Sequence, residues 1–186
     1  MRLLVLGLLA LCPSLAFAGG KGVACDLGEA GAPQVVRVTR ADKMAGTHVF
    51  YLRQGDAPAR PLLDGEAEDS RGSEVRIKCV GGSQRALAVA GNFMSAGYPQ
   101  GLVLVYDPAA RAFERFAFAE KQPPGWLYLG AKDRLLVFAP GGRLETEHRY
   151  LVYRFAAGAG AAKESSEAIV DALPKADGYR VIKIDW

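Results

Sequence analysis

The sequence predicts a mainly β protein, an antiparallel β-sandwich or an incomplete set of propeller-like sheets, with one short C-terminal helix. Three observations carry this. Apolar residues recur with period two in segment after segment. The segments follow one another at a spacing of about 10 residues. Gly, Pro or Asp punctuates the gaps between them.

The first segment has a different character. Met1 to Ala18 (MRLLVLGLLALCPSLAFA) places Arg2 before an apolar run from Leu3 to Leu11, then Pro13 and a small-x-small triplet, Ala16-Phe17-Ala18. That run is about nine residues long, too short to cross a bilayer, and it has the layout of an export signal cut after Ala18. Acylation at Cys12 is the alternative, but a small residue is needed just before such a cysteine and Leu11 is bulky. The expectation is a signal peptide over 1–18, a single β-rich domain over 19–186, and a periplasmic location. No later stretch approaches the roughly 18 apolar residues of a membrane helix, so no membrane span is expected.

The strands follow in order. Gln34 to Thr39 (QVVRVT) and His48 to Arg53 (HVFYLR) are rich in β-branched and aromatic residues. Gln54 to Pro58 is a turn, with Arg60 to Leu63 as its returning arm. Glu74 to Val80 alternates, with Val75, Ile77 and Cys79 on one face and Glu74, Arg76 and Lys78 on the other. Gly81-Gly82-Ser83 turns the chain into Arg85 to Ala90. Gly101 to Tyr106, the turn Asp107-Pro108-Ala109-Ala110, and Ala112 to Phe118 form the next pair. The last of these carries aromatics on both faces and is expected to be central or packed on two sides. Trp126 to Leu129, Arg134 to Ala139 and Arg149 to Phe155 continue the series. Ala156 to Ala162 is a Gly/Ala connector. Ser165 to Leu173 has Ala168, Ile169, Ala172 and Leu173 at helical spacing and ends at Pro174, which predicts the helix. Tyr179 to Trp186 is a final strand that aligns Ile182, Ile184 and Trp186 and docks the C-terminus.

Composition narrows the function. The 186 residues carry 23 Lys+Arg and 20 Asp+Glu, a net charge of +3, and 50% hydrophobic residues. Disorder is excluded by the apolar content, and non-specific nucleic-acid binding by the interspersed charges. Export would remove one of the three cysteines, leaving Cys25 and Cys79 to pair in an oxidising compartment. Without a Cys-x-x-Cys, and with His48 and His148 remote in sequence, a reactive thiol or metal role for them is the lesser reading.

The requirements of catalysis are poorly met. Ser95 has Phe93 where a nucleophile-elbow glycine is needed. Glu145, Glu147 and His148 fall short of a zinc set, and Asp64 to Asp69 lacks the order of a calcium loop. The double glycines have no phosphate-binding context. No cofactor or metal is expected. A carboxylate pair acting on envelope carbohydrate is the enzyme alternative, and an envelope scaffold subunit is a third reading. The acidic run Asp64 to Asp69 is a solvated loop, or a surface that steers toward a cationic partner.

Asn92 to Gly101 (NFMSAGYPQG) stands out. Connections run over the surface and are ordinarily polar, yet this one holds Phe93, Met94, Tyr98 and Pro99. It is either folded back on the core or presented to a partner. If presented, Phe93, Met94 and Tyr98 are hot-spot residue types, with Ser95 and Gln100 as hydrogen-bonding neighbours. Pro123 to Trp126 and Arg143 to His148 are nearby candidates with ordinary turn chemistry.

An exported chain of this size with the Cys25/Cys79 pair, the stretch Gly97-Tyr98-Pro99-Gln100-Gly101 followed by LVLVYD, and the later strands WLYLG (126–130) and YLVYRF (150–155) resembles the periplasmic immunity proteins of type VI secretion amidase effectors. The resemblance implies a protein that is no catalyst and that plugs a peptidoglycan hydrolase with a loop. It implies Ser95 and its flanking residues as that plug. The expected partner is therefore a periplasmic cell-wall hydrolase.

Overall fold

A computed structural model describes residues 22–94, 97–142, 146–158 and 164–186. The expected export signal lies outside them.

Among the described residues about 60% are in strands. The strands are β1 (Val23–Asp26), β2 (Val35–Met44), β3 (Thr47–Gln54), β4 (Arg60–Pro61), β5 (Arg71–Gly81), β6 (Arg85–Phe93), β7 (Gln100–Asp107), β8 (Ala112–Ala119), β9 (Pro124–Gly130), β10 (Asp133–Phe138), β11 (Tyr150–Ala156), β12 (Glu164–Val170) and β13 (Tyr179–Lys183). A short 3-10 turn covers Ala67–Ser70. Two antiparallel sheets result. The first runs β1-β2-β3-β5-β6-β7-β8, with β4 beside β3, and the second runs β12-β11-β10-β9-β13. Neither closes into a barrel, so the sandwich expectation holds at the level of class and architecture.

Side-chain alternation explains how the layers stack. Ala86, Ala88 and Ala90 of β6 and Val103 and Val105 of β7 face the second sheet, where they meet Leu136, Phe138, Tyr153, Phe155 and Ile182. Small residues on one face and aromatics on the other let the layers interdigitate. The intervening Leu87, Val89, Leu102 and Leu104 point the other way, onto Cys25, Val36, Val38, Phe50 and Leu62. The first sheet therefore folds back so that its leading strands cover the far face of β6 and β7. That double burial is why β6 and β7 are apolar almost throughout. β8 bonds only to β7, yet is covered on both faces: Phe116 and Phe118 join one cluster and Phe113 packs against the other.

The predicted C-terminal helix is corrected to an edge strand. Glu164–Val170 pairs with β11, Tyr150 opposite Val170 and Leu151 opposite Ile169. Ile169 packs toward the inter-sheet cluster and Val170 toward the outer face, the period-two outcome. Pairing along β11 outweighs a helical spacing that only four small or branched residues supported. The strand Val23–Asp26 was not anticipated. In the Gly/Ala connector, Ala157 donates to the Lys132 carbonyl at 3.0 Å, and 159–163 lie outside the described residues. The C-terminus docks as expected: Ile182 and Ile184 are buried, and the Trp186 indole Nε1 donates to the Pro124 carbonyl at 2.7 Å.

Cys25 and Cys79 form a disulfide that ties β1 to β5, with Cα atoms 5.8 Å apart. Among the described residues no helix is long and apolar enough to cross a membrane.

Candidate functional site

The apolar connection after β6 is divided between core and surface. Phe93 is 3% exposed, with its ring edge-on to Phe50 at a centroid distance of 6.1 Å. It anchors the loop and does not face outward. Met94 and Tyr98 are 69% and 51% exposed. Gln100 is half-buried in β7, opposite Ala119. Ser95, named with them from the sequence, lies outside the described residues.

Arg71 holds the start of this loop. Its carbonyl accepts the Met94 N–H at 3.0 Å, and its buried guanidinium donates to both Glu68 oxygens, at 2.7 and 2.9 Å. A third donation, at 2.7 Å, goes to the Asp42 carbonyl at the end of the β2–β3 hairpin. The Arg71 hydrogen bonds hold the Glu68 carboxyl below its ordinary value. Sequence reasoning missed Arg71, because its partners come from three separate segments. An arginine opening an alternating strand just after an acidic run was the available signal.

A bulge in β5 shapes the adjoining surface. The register with β6 shifts between Ser73 and Arg76, and Glu74 takes a left-handed φ of 53°. Its carboxylate accepts the Asn92 side-chain amide at 2.9 Å. Val75 then lies against Gly91, where a Cβ would come within 2.6 Å of the valine methyl, so only glycine fits there. A groove of about 380 Å³ lies on one side of the bulge, with Val38 and Phe50 beneath and Arg40, His48 and Glu74 at the rim. Another, about 510 Å³, includes Glu74, Asn92 and Pro99. The second borders the apolar connection at Asn92 and Pro99.

The acidic run is tied down. Asp69 accepts the Glu66 N–H at 2.9 Å, Glu68 is held by Arg71, and Asp64 lies 3.3 Å from Arg115. Burial draws the Arg115 guanidinium below its ordinary value, and Asp64 offsets part of that. No set of three or more His, Cys, Asp or Glu suited to a metal ion occurs among the described residues. Glu147 and His148 are exposed, and Glu145 lies outside the described residues.

Two carboxylates do share one pocket. Asp107 and Glu114 line a space of about 300 Å³ between the sheets, on either side of Arg134. Arg134 Nε donates to Glu114 at 2.7 Å and Nη2 to Asp107 at 3.1 Å. The remaining oxygen of Glu114 accepts the Gly158 N–H, and that of Asp107 accepts the N–H groups of Ala109 and Ala110. All four oxygens accept hydrogen bonds from within the protein. This is a clasp between β8 and β10. At the opposite rim the Tyr153 hydroxyl donates to buried Glu120.

The outer face of the second sheet is apolar too, with Trp126 edge-on to Tyr150 and Tyr128 edge-on to Tyr179. Tyr128, Leu135, Val137 and Val152 are buried there, and Trp126, Tyr150, Val170 and Tyr179 pack against them half-buried. Among the described residues Met94 and Tyr98 are the exposed large apolar side chains of the connection between β6 and β7.

No protein family, curated protein or solved structure matches this chain.

Proposed function

We propose that this chain is a periplasmic, non-enzymatic binding protein that blocks a cell-wall (peptidoglycan) hydrolase effector with its 92–101 loop, in the manner of an immunity protein. One observation carries the reading: a loop pinned at its base by buried Phe93 and the Arg71 carbonyl presents Met94 and Tyr98 to solvent. Anchoring at the base lowers the entropic cost of presenting soft and aromatic side chains to a cleft. Gln100 and Ser95 would supply hydrogen bonds at its margins. The engagement of every Asp107 and Glu114 oxygen weighs against a carbohydrate hydrolase working from that pocket.

The test is inhibition. The full chain is expressed with its own leader and purified from the periplasm. It is then titrated into wall-degrading envelope extracts of the producing cell and its neighbours, using dye-labelled sacculi. Dye release falls in a dose-dependent way, and Tyr98→Asp weakens the effect about a hundredfold, as expected for a central hot spot. Release unchanged at saturating protein, or equal inhibition by Tyr98→Asp, overturns the proposal.

A further inference from the structure

The two packed sheets do not end together. β8 stands opposite β10 and β11: Phe118 meets Phe138, Phe116 meets Phe155, and Glu114 meets Arg134. β12 continues the second sheet beyond β11, whereas the first sheet ends at β8. A step about 4.8 Å wide, one strand spacing, therefore lies beside β8 and over the inner face of β12. Leu151 faces the core between the sheets, so its partner Ile169 does too, and Glu167 shares that face. Ile169 is half-buried. Glu167 is exposed, with no ion pair or side-chain hydrogen bond among the described residues.

The outer edge of β8 is open to pairing. The Glu120 N–H bonds to the Pro99 carbonyl, and Ala119 stands opposite Gln100. Alternation along an antiparallel ladder then turns the N–H and C=O groups of Arg115, Ala117 and Ala119 away from β7. These outward groups have no backbone partner among the described residues. The other edge strands carry the usual defences against pairing. β1 and β4 have only four and two residues. β13 has five, Arg180 and Lys183 among them. β12 has a register shift and carries Glu164 and Glu167. β8 has eight residues in unbroken register, and its two charges, Glu114 and Arg115, are bound to Arg134 and Asp64. Phe116 to Ala119 carries no charge at all.

We infer that the β8 edge and the β12 overhang form a slot for one extended segment of a partner protein, which adds to the first sheet as a further strand. A second copy of this chain does not fit. Pairing the two β8 strands antiparallel drives the copy's β11 into the space of β12. The slot is one strand wide, so it accepts a peptide and excludes a sheet. It also specifies a pattern. Positions facing β12 continue the row of Phe116 and Phe118, finish covering Ile169, and are apolar. Positions between them lie beside exposed Ala117 and Ala119 and are polar. One inward position meets Glu167 and is basic. Arg111 and Lys121 are exposed past the two ends of β8, so no further cation is favoured. Backbone bonds supply the affinity in this mode of binding, and the alternating side chains the selectivity. The tip of the 92–101 loop takes no part.

The probe is a synthetic eight-residue peptide of alternating valine and threonine, with lysine in place of one central valine. It is titrated into the full chain and followed by amide exchange in NMR. Exchange slows at Ala117 and Ala119, while Phe116 and Phe118, already bonded to β7, change little. Ala117→Pro removes one outward N–H, keeps every bond to β7, and weakens binding about fivefold or more. Ala119→Lys puts a charge on the edge without altering the backbone, and weakens binding even if the proline variant does not fold. Glu167→Lys lowers affinity for the lysine peptide several-fold and raises it for the same peptide with glutamate, and both effects shrink at high salt. Unchanged exchange at Ala117 and Ala119 in millimolar peptide overturns the slot. So does protection that falls on β1 or β13 instead, or full binding by Ala119→Lys. Equal affinities of wild type and Glu167→Lys for both peptides refute the part assigned to β12. Dimerisation of the free chain that Ala119→Lys abolishes would place a second copy on this edge and overturn the single-strand limit.

Discussion

Arg134 and Glu114 are charged groups almost without solvent, with side-chain exposures of 9% and 1%. Water cannot compensate either charge, so each depends on the other. Arg134→Met would leave Glu114 with one backbone N–H, and is expected to cost about 3–5 kcal/mol in urea denaturation. Arg134→Met combined with Glu114→Leu replaces the pair by apolar volume and should recover most of that loss. A double variant as unstable as the single one would show that Arg134 acts through packing alone. Glu68 behaves differently, because it is largely exposed and its partner Arg71 is not. Its folded carboxyl titrates below the ordinary value of 4.5, so the contact is fully present above that pH and is lost as pH falls through the lowered value. Acidification below about pH 4.5 should therefore speed amide exchange at Met94, whose N–H rests on the Arg71 carbonyl. Glu68→Gln should abolish that pH dependence, and persistence of the acid step in Glu68→Gln would assign it to another group.

At the scale of elements, β12 tests the relation between text and structure most directly. Ala168 stands opposite Val152 in the β11–β12 ladder. A β-branched residue there adds a cross-strand contact, so Ala168→Thr should stabilise the fold by about 0.5 kcal/mol. The same change in a helix would destabilise by a similar amount, so the direction of the shift in urea midpoint separates strand from helix. Elsewhere the strands were legible because their environment repeats every second residue. β5, β6 and the β7–β8 pair have one set of alternate positions committed to one layer, and this shows in one dimension. β12 was not, since Ala168, Ile169, Ala172 and Leu173 satisfy a helical spacing and only the partner strand decides between the two. β1 was illegible for a related reason: four residues with one buried side chain make no pattern, and its place is set by β2 and by the bond to Cys79. The candidate site was half legible. Its apolar loop was visible, but the inward turn of Phe93 depends on Phe50, a residue of another strand.

For the molecule as a whole, the fold-back of the first sheet makes the disulfide more than a local staple. β6 and β7 are sealed on one face by the second sheet, which has its own meander and a returning strand, β13. Their other face is sealed by β1 to β3, which join the rest through two residue pairs with β5, through packing, and through Cys25–Cys79. A sequence separation of 54 makes the bridge a long-range constraint. In the chain-entropy account, closing a loop of that order restricts the unfolded chain by about 4 kcal/mol. The Cys25→Ala/Cys79→Ala variant should lose about that much stability by denaturant titration. The loss should also be uneven: amides of β1 and β2 exchange sooner, while those of β10 and β11 keep their protection relative to global unfolding. Uniform loss of protection across both sheets would mean that the layers unfold as one unit and that the bridge acts on the unfolded chain alone.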